Sequence, residues 1–200
     1  MKRAKLLTVK NLVTIAVLSA VAAVLMYIEF PLWFAPPFYE MDFSEIPVLV
    51  GAFAMGPAAG FVIEVLKVVL KLFLKGSTTM GVGDWANLLI GCALVVPAGL
   101  IYRKHKTRRH ALIGMLAGVV CMATVGAAVN AFMLLPAYGA AFGMETSAFV
   151  ALGQAIIPAV DSLFKFCLLI VAPFNLVKGL AVSVITLLLY KHISRLLKSR

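Results

Sequence analysis

Residues 173–182 read PFNLVKGLAV, inside a run of about two dozen otherwise apolar residues. The run extends from Phe166-Cys167-Leu168-Leu169-Ile170 to Val184-Ile185-Thr186-Leu187-Leu188-Leu189. A segment of that length crosses roughly 30 Å of hydrocarbon at about 1.5 Å per residue. Asn175 and Lys178 stand three apart within it. An ionisable side chain in hydrocarbon costs about 2.5–3.5 kcal/mol on insertion scales, so it is expected only where it faces a cavity or a partner. This stretch therefore sets the two questions of the sequence: how often the chain crosses a membrane, and what its polar residues face there.

Working outward, the 200-residue chain is 63% hydrophobic and 13% charged, with a mean hydropathy of +1.05. Soluble domains are nearer half apolar. Comparable apolar runs recur along the chain, and no polar stretch is long enough to fold alone. The composition is that of an integral membrane protein forming one transmembrane domain over 1–200.

The net charge of +10 is topological and not a nucleic-acid footprint. Thirteen of the 18 Lys and Arg residues fall in three clusters without acids. These are Lys2, Arg3, Lys5 and Lys10; Arg103, Lys104, Lys106, Arg108 and Arg109; and Lys191, Arg195, Lys198 and Arg200. Short Lys/Arg-rich loops stay cytoplasmic, which puts both termini and the middle cluster on the inside. The N-terminus imitates a signal peptide ending at Ala20-Val21-Ala22. Its apolar run continues to Ile28, however, and is read as an uncleaved span. Cys92, Cys121 and Cys167 are isolated within apolar runs and carry neither metal spacing nor a disulfide framework.

The expected path has six transmembrane helices, at about 9–29, 44–55, 57–75, 83–102, 111–135 and 173–190. Ser44 reads as an N-cap, Gly56-Pro57 as a break between helices, and Pro136 as the end of the fifth span. Residues 30–43 (FPLWFAPPFYEMDF) form an aromatic outer loop, and 136–172 an outer loop with short interfacial helices. Small residues four apart (Ala16/Ala20, Gly56/Gly60, Gly114/Gly118) permit close helix contact in lipid.

With the spans so oriented, the polar residues converge. Asn175 and Lys178 on the sixth span, Asn130 on the fifth, and Asp84 and Asn87 on the fourth all fall in the outer half. On the third span Glu64, Lys67 and Lys71 form one stripe. The expectation is a ligand cavity open to the outside and sealed by an apolar inner half. Glu64–Lys67 also reads as a buried ion pair, and Lys75 as a residue reaching the headgroups. There is no GxxxxGK[ST] sequence for ATP hydrolysis. His105, His110 and His192 lie in the inner basic clusters, so no catalytic constellation assembles at the polar level.

Four stretches, DFSEIPVLVGAFAMGPAAG (42–60), VGDWANLLIG (82–91), NAFMLLPAY (130–138) and PFNLVKG (173–179), resemble the riboflavin-specific substrate-binding subunit (S component) of bacterial energy-coupling factor (ECF) transporters. The likeness covers nearly the whole chain in order and spacing. It implies a multi-pass protein of the bacterial cell membrane that captures riboflavin outside and works with a transmembrane coupling subunit and two separate ATPase subunits. Riboflavin is then a transported ligand and not a cofactor, with FMN left open as a second ligand. The flavin-binding residues of the family fall on Asn130, Asn175 and Lys178, and its small coupling residues on Ala16 and Ala20.

The chemistry agrees with that resemblance. The pyrimidine edge of the flavin alternates carbonyl acceptors with one N–H donor, which asparagine amides can read. Met41 and Phe43 could wall the dimethylbenzene end, and Asp84, Asn87 or Glu64 could meet the ribityl hydroxyls. Two alternatives stand beside this reading: the same fold binding another vitamin such as thiamine or biotin, or a stand-alone secondary transporter.

Overall fold

Helix ends in the first half of the chain are set by residues that cannot continue a helix. In a computed structural model, which describes residues 8–77, 81–143 and 145–198, α1 (Val9–Tyr27) starts at Thr8, whose hydroxyl accepts from the Asn11 N–H. Helix α2 (Glu45–Met55) stops at Gly56, where φ is +102°, and Pro57 opens α3 (Pro57–Lys75). Proline suits that first position because its missing N–H would have no intrahelical partner there. Lys2, Arg3, Lys5 and Arg200, expected in the basic termini, lie outside the described residues.

The second half departs from the expected spans. Pro136 does not end the fifth helix. Helix α5 (Arg108–Val129) passes through a π-turn at Asn130–Leu134 into α6 (Leu135–Phe142). The last long helix begins at α8 (Leu163–Phe166), not at Pro173. It runs through a second π-turn, Cys167–Val171, into α9 (Ala172–Lys198). Each π-turn ends two residues before a proline. A proline ring collides with the carbonyl four residues earlier, here that of Phe132 or Leu169, each within its π-turn. Widening the helix there accommodates the ring without breaking the rod. The expected outer loop over 136–172 is consequently reduced to the ends around α7 (Thr146–Ile156).

Four helical stretches are long and apolar enough to cross a bilayer: Val9–Tyr27, Val82–Lys104, Arg108–Ala140 and Leu163–Tyr190. The second of these is α4. Helix α3 has 19 residues but carries Glu64, Lys67, Lys71 and Lys75, and α2 has only 11. The 30–43 segment is not wholly irregular. Its ends pair as a short antiparallel ribbon, β1 (Phe30–Pro31) with β2 (Glu40–Met41).

Two apolar clusters fill the bundle. The larger joins α1–α5 and α9 around Leu49, Ile63, Leu94 and Met115. Helices α4 and α5 pack most extensively against each other. A Cβ on Gly118 would come within 2.3 Å of the Leu94 carbonyl oxygen, so the small side chain is what permits the approach. The second cluster pins the 30–43 segment to the α6–α9 region through Tyr39, Met41, Leu135, Phe166 and Phe174. That segment thereby becomes a wall.

Candidate ligand-binding cavity

The two π-turns place the asparagines that the sequence singled out. Asn130 opens the first, and its Nδ2 donates to the Gly126 carbonyl at 2.8 Å. Asn175 lies one turn beyond the second, and its Nδ2 donates to the Val171 carbonyl at 2.9 Å. Both amides are buried. Each keeps its second N–H for another partner, since an amide offers two donors. Gly126 makes room for this pairing: a Cβ there would fall 2.6 Å from Asn175 Nδ2.

Two residues of the 30–43 segment, absent from the expected site, hold these groups in place. The Tyr39 hydroxyl donates to Asn130 Oδ1 at 2.6 Å. Burial, followed by the nearby Cys167 and Tyr138, pushes the Tyr39 phenol well above its ordinary value, so it remains a donor. Asp42 accepts from Lys178 Nζ at 2.7 Å and from the Ser44 N–H at 2.7 Å. Burial alone would raise the Asp42 carboxyl. The ammonium groups of Lys178 and Lys67, with those hydrogen bonds, outweigh it and hold the group at about 2. Lys178 is thus a charge-paired side chain with two further N–H groups.

Asn130, Asn175 and Lys178 line one cavity of about 160 Å³ together with Tyr39, Asp84 and Asn87. Its apolar surface comes from Met26, Phe38, Ile90, Met122, Leu134 and Phe174. Met41 and Phe43, expected as apolar walls, do not line it. Met41 is buried beneath the segment, and Phe43 packs between the two apolar clusters. The segment presents Phe38, Tyr39 and Glu40 in succession to the cavity and packs Met41 and Phe43 into the apolar clusters instead.

Glu64 is likewise displaced from the cavity surface. It stands fully buried behind α4, where a Cβ on Gly91 would fall 2.2 Å from its Oε1 and 2.8 Å from Glu45 Oε1. Lys67 Nζ lies 2.7 Å from both carboxylates. Only the contact with Glu45 has hydrogen-bond geometry. The expected Glu64–Lys67 pair is therefore a triad, completed by Glu45, which does line the cavity. Asp84 lines it too but is engaged by Lys71 Nζ at 2.7 Å and by the Ser77 hydroxyl at 2.6 Å. Lys75 pairs with Glu29. One signal for the missed acids was in the sequence: lysines within apolar runs need carboxylates, and Asp42 and Glu45 flank the start of α2.

Ala16 and Ala20 lie on α1 away from the cavity, and both are exposed on the surface of the bundle. The end of the bundle away from the cavity, expected to be apolar, is not wholly so. Ser19, Ser183 and Thr186 are buried there, and the Tyr102 and Tyr190 hydroxyls bond at 2.9 Å.

Comparison with known proteins gives consistent matches along the chain. The family model described as "ECF transporter, substrate-specific component" matches residues 10–190. A protein named riboflavin transporter RibU from Staphylococcus aureus (strain TCH60) is 34% identical over 190 residues, covering 94% of this chain and 93% of that one. Riboflavin transporter FmnP from Bacillus subtilis (strain 168) is 28% identical over 183 residues, covering 91% and 90%. A solved structure reported as the S component of a bacterial ECF transporter superposes with a TM-score of 0.72 at 32% identity, covering 94% and 98%. These relatives are membrane transporter components and not enzymes. The chain belongs to the family of substrate-specific components of ECF transporters.

Proposed function

We propose that this chain is a riboflavin-capturing S component. The observation that carries the reading is the convergence of Asn130, Asn175 and Lys178 on one cavity, with each amide still holding a free donor and Lys178 two. A flat ring with alternating carbonyls and one N–H fits that set, while Phe38, Phe174 and Met122 offer apolar contact to its faces. Relatives of similar length named as riboflavin transporters support the same ligand.

In this reading the whole chain is one transmembrane domain with six membrane-crossing helices, both termini cytoplasmic and the cavity open to the outside. The short α2 and the charged α3 cross within the bundle. The basic turn between α4 and α5, Arg103 to Arg109, faces the cytoplasm, in keeping with the distribution of positive charge. A transmembrane coupling subunit and two ATPase subunits supply the energy, and the exposed Ala16 and Ala20 offer a close-packing stripe to the coupling subunit.

Titrating the detergent-purified chain with riboflavin tests the ligand. Flavin fluorescence is expected to be quenched to saturation at one riboflavin per chain. Absence of quenching together with tight binding of thiamine or biotin would overturn the proposal.

A further inference from the structure

The charges around the cavity are matched except at its rim. Glu45 pairs with Lys67, Asp84 with Lys71, Glu29 with Lys75 and Lys178 with Asp42. Glu40 lines the same cavity and forms no ion pair among the described residues. It stands in β2 opposite Pro31 and, like Phe38, is exposed, whereas Glu45, Asp84 and Lys178 are buried. Its carboxyl shares a hydrogen bond with that of Glu29. Burial and then this neighbour raise Glu40 from its ordinary value, and Lys75 and Lys71 oppose the shift less. The exposed edge of the cavity therefore carries one carboxylate whose charge no direct partner cancels.

We propose that Glu40 is a specificity-determining residue of the cavity: its carboxylate at the rim disfavours flavins that carry a phosphate and leaves the uncharged vitamin unopposed. The inference rests on the riboflavin reading and concerns the choice between riboflavin and FMN, which share a ring system and differ by one phosphate ester. A phosphate monoester carries a charge of about −1.5 to −2 at neutral pH. Burying such a group unpaired is too costly, so the phosphate stays at the exposed edge, beside Glu40. The cations that could attract it are committed elsewhere. Lys71 and Lys178 each hold a carboxylate at 2.7 Å, and Lys75 is paired with Glu29. Like charges at a partly exposed site repel through water, so the penalty is modest and falls with salt.

The test titrates the purified full chain with riboflavin and with FMN, reading flavin fluorescence at mildly alkaline pH, where Glu40 and the phosphate are ionised. Wild type should bind riboflavin more tightly than FMN. Glu40→Gln should improve FMN relative to riboflavin by about fivefold, the effect of removing one charge roughly 8 Å from a phosphate dianion in water. Glu40→Lys should improve it by about 25-fold, and raising the salt concentration should shrink both gains. Three results would overturn the proposal while the flavin reading stands: an unchanged ratio of the two affinities in both variants, a change in both ligands by the same factor, or wild-type protein that binds FMN as tightly as riboflavin. If wild-type protein binds neither flavin, the flavin reading fails and this inference with it. Glu40 is exposed and holds no cation among the described residues, so neither variant removes an ion pair on which the fold depends.

Discussion

The cavity end of the bundle and the end bearing the Arg103–Arg109 turn solve burial in opposite ways. Near the turn the buried polar contact is neutral: Tyr102 and Tyr190 share a hydroxyl bond at 2.9 Å, and Phe53 lies 4.6 Å from the Tyr102 ring centroid. At the cavity end Lys67 is buried between Glu45 and Glu64, and Lys178 against Asp42. Buried ion pairs rarely stabilise a fold more than apolar groups of the same shape would. Among the described residues, the neutral end is held by apolar packing and uncharged polar groups, Ser19, Ser183, Thr186 and the Tyr102–Tyr190 pair among them. The charged end is therefore organised around something other than stability, namely the orientation of Asn130, Lys178 and Glu45 toward the cavity.

That contrast can be broken at several points. The largest effect is expected at Lys67, which is 0% exposed and serves two carboxylates. Lys67→Met leaves both without a counter-charge and should destabilise the protein by about 3–5 kcal/mol, the usual cost of removing one member of a buried pair. Thermal unfolding in detergent reads it; a wild-type Tm would mean that the triad is not the electrostatic unit described.

The Asp42–Lys178 pair should give a smaller, pH-dependent effect. Its carboxyl is lowered from 3.8 to about 2 in the folded protein. A depressed carboxylate stabilises fully above its unfolded value and loses that contribution as pH falls through its folded one, here between about 4 and 2. The contribution is roughly 2 kcal/mol. The Tm advantage of wild type over Asp42→Asn should hold above about pH 5 and shrink as pH falls across that window. An advantage that grows on acidification would contradict the pairing.

The smallest effect belongs to the neutral end. Tyr102→Phe removes one hydroxyl and should cost about 0.5–1.5 kcal/mol, without altering riboflavin affinity. Weakened binding in that variant would show that the two ends are not independent.

How much of this was legible beforehand differs between the same two ends. Helix breaks at Gly56-Pro57 and the basic turn were plain from the sequence, because glycine, proline and charge act locally. Pro136 and Pro173 misled, since proline normally ends a helix and nothing local announces that a π-turn will absorb it. Asn130, Asn175 and Lys178 stood out as polar residues in apolar runs. Tyr39, Asp42 and Glu45 did not, as they lie in or beside an aromatic loop where polar residues are ordinary. Their roles arise from contacts such as Tyr39 with Asn130, 91 positions apart. Met41 and Phe43 were assigned to the cavity for their apolar character, but the turn of the segment that brings Tyr39 inward decides which side chains face it.

The most direct measurement is the riboflavin dissociation constant of Asn130→Ala, Asn175→Ala and the double variant Asp42→Asn/Lys178→Met, taken beside their Tm values. The double variant removes the Lys178 donor without leaving Asp42 buried and unpaired. Each loss leaves a flavin donor or acceptor unmatched at about 1–3 kcal/mol, so affinity should fall roughly 5- to 150-fold in protein that still melts cooperatively. Lower Tm values with wild-type affinity in all three would show that these groups only join helices, and that riboflavin is captured elsewhere.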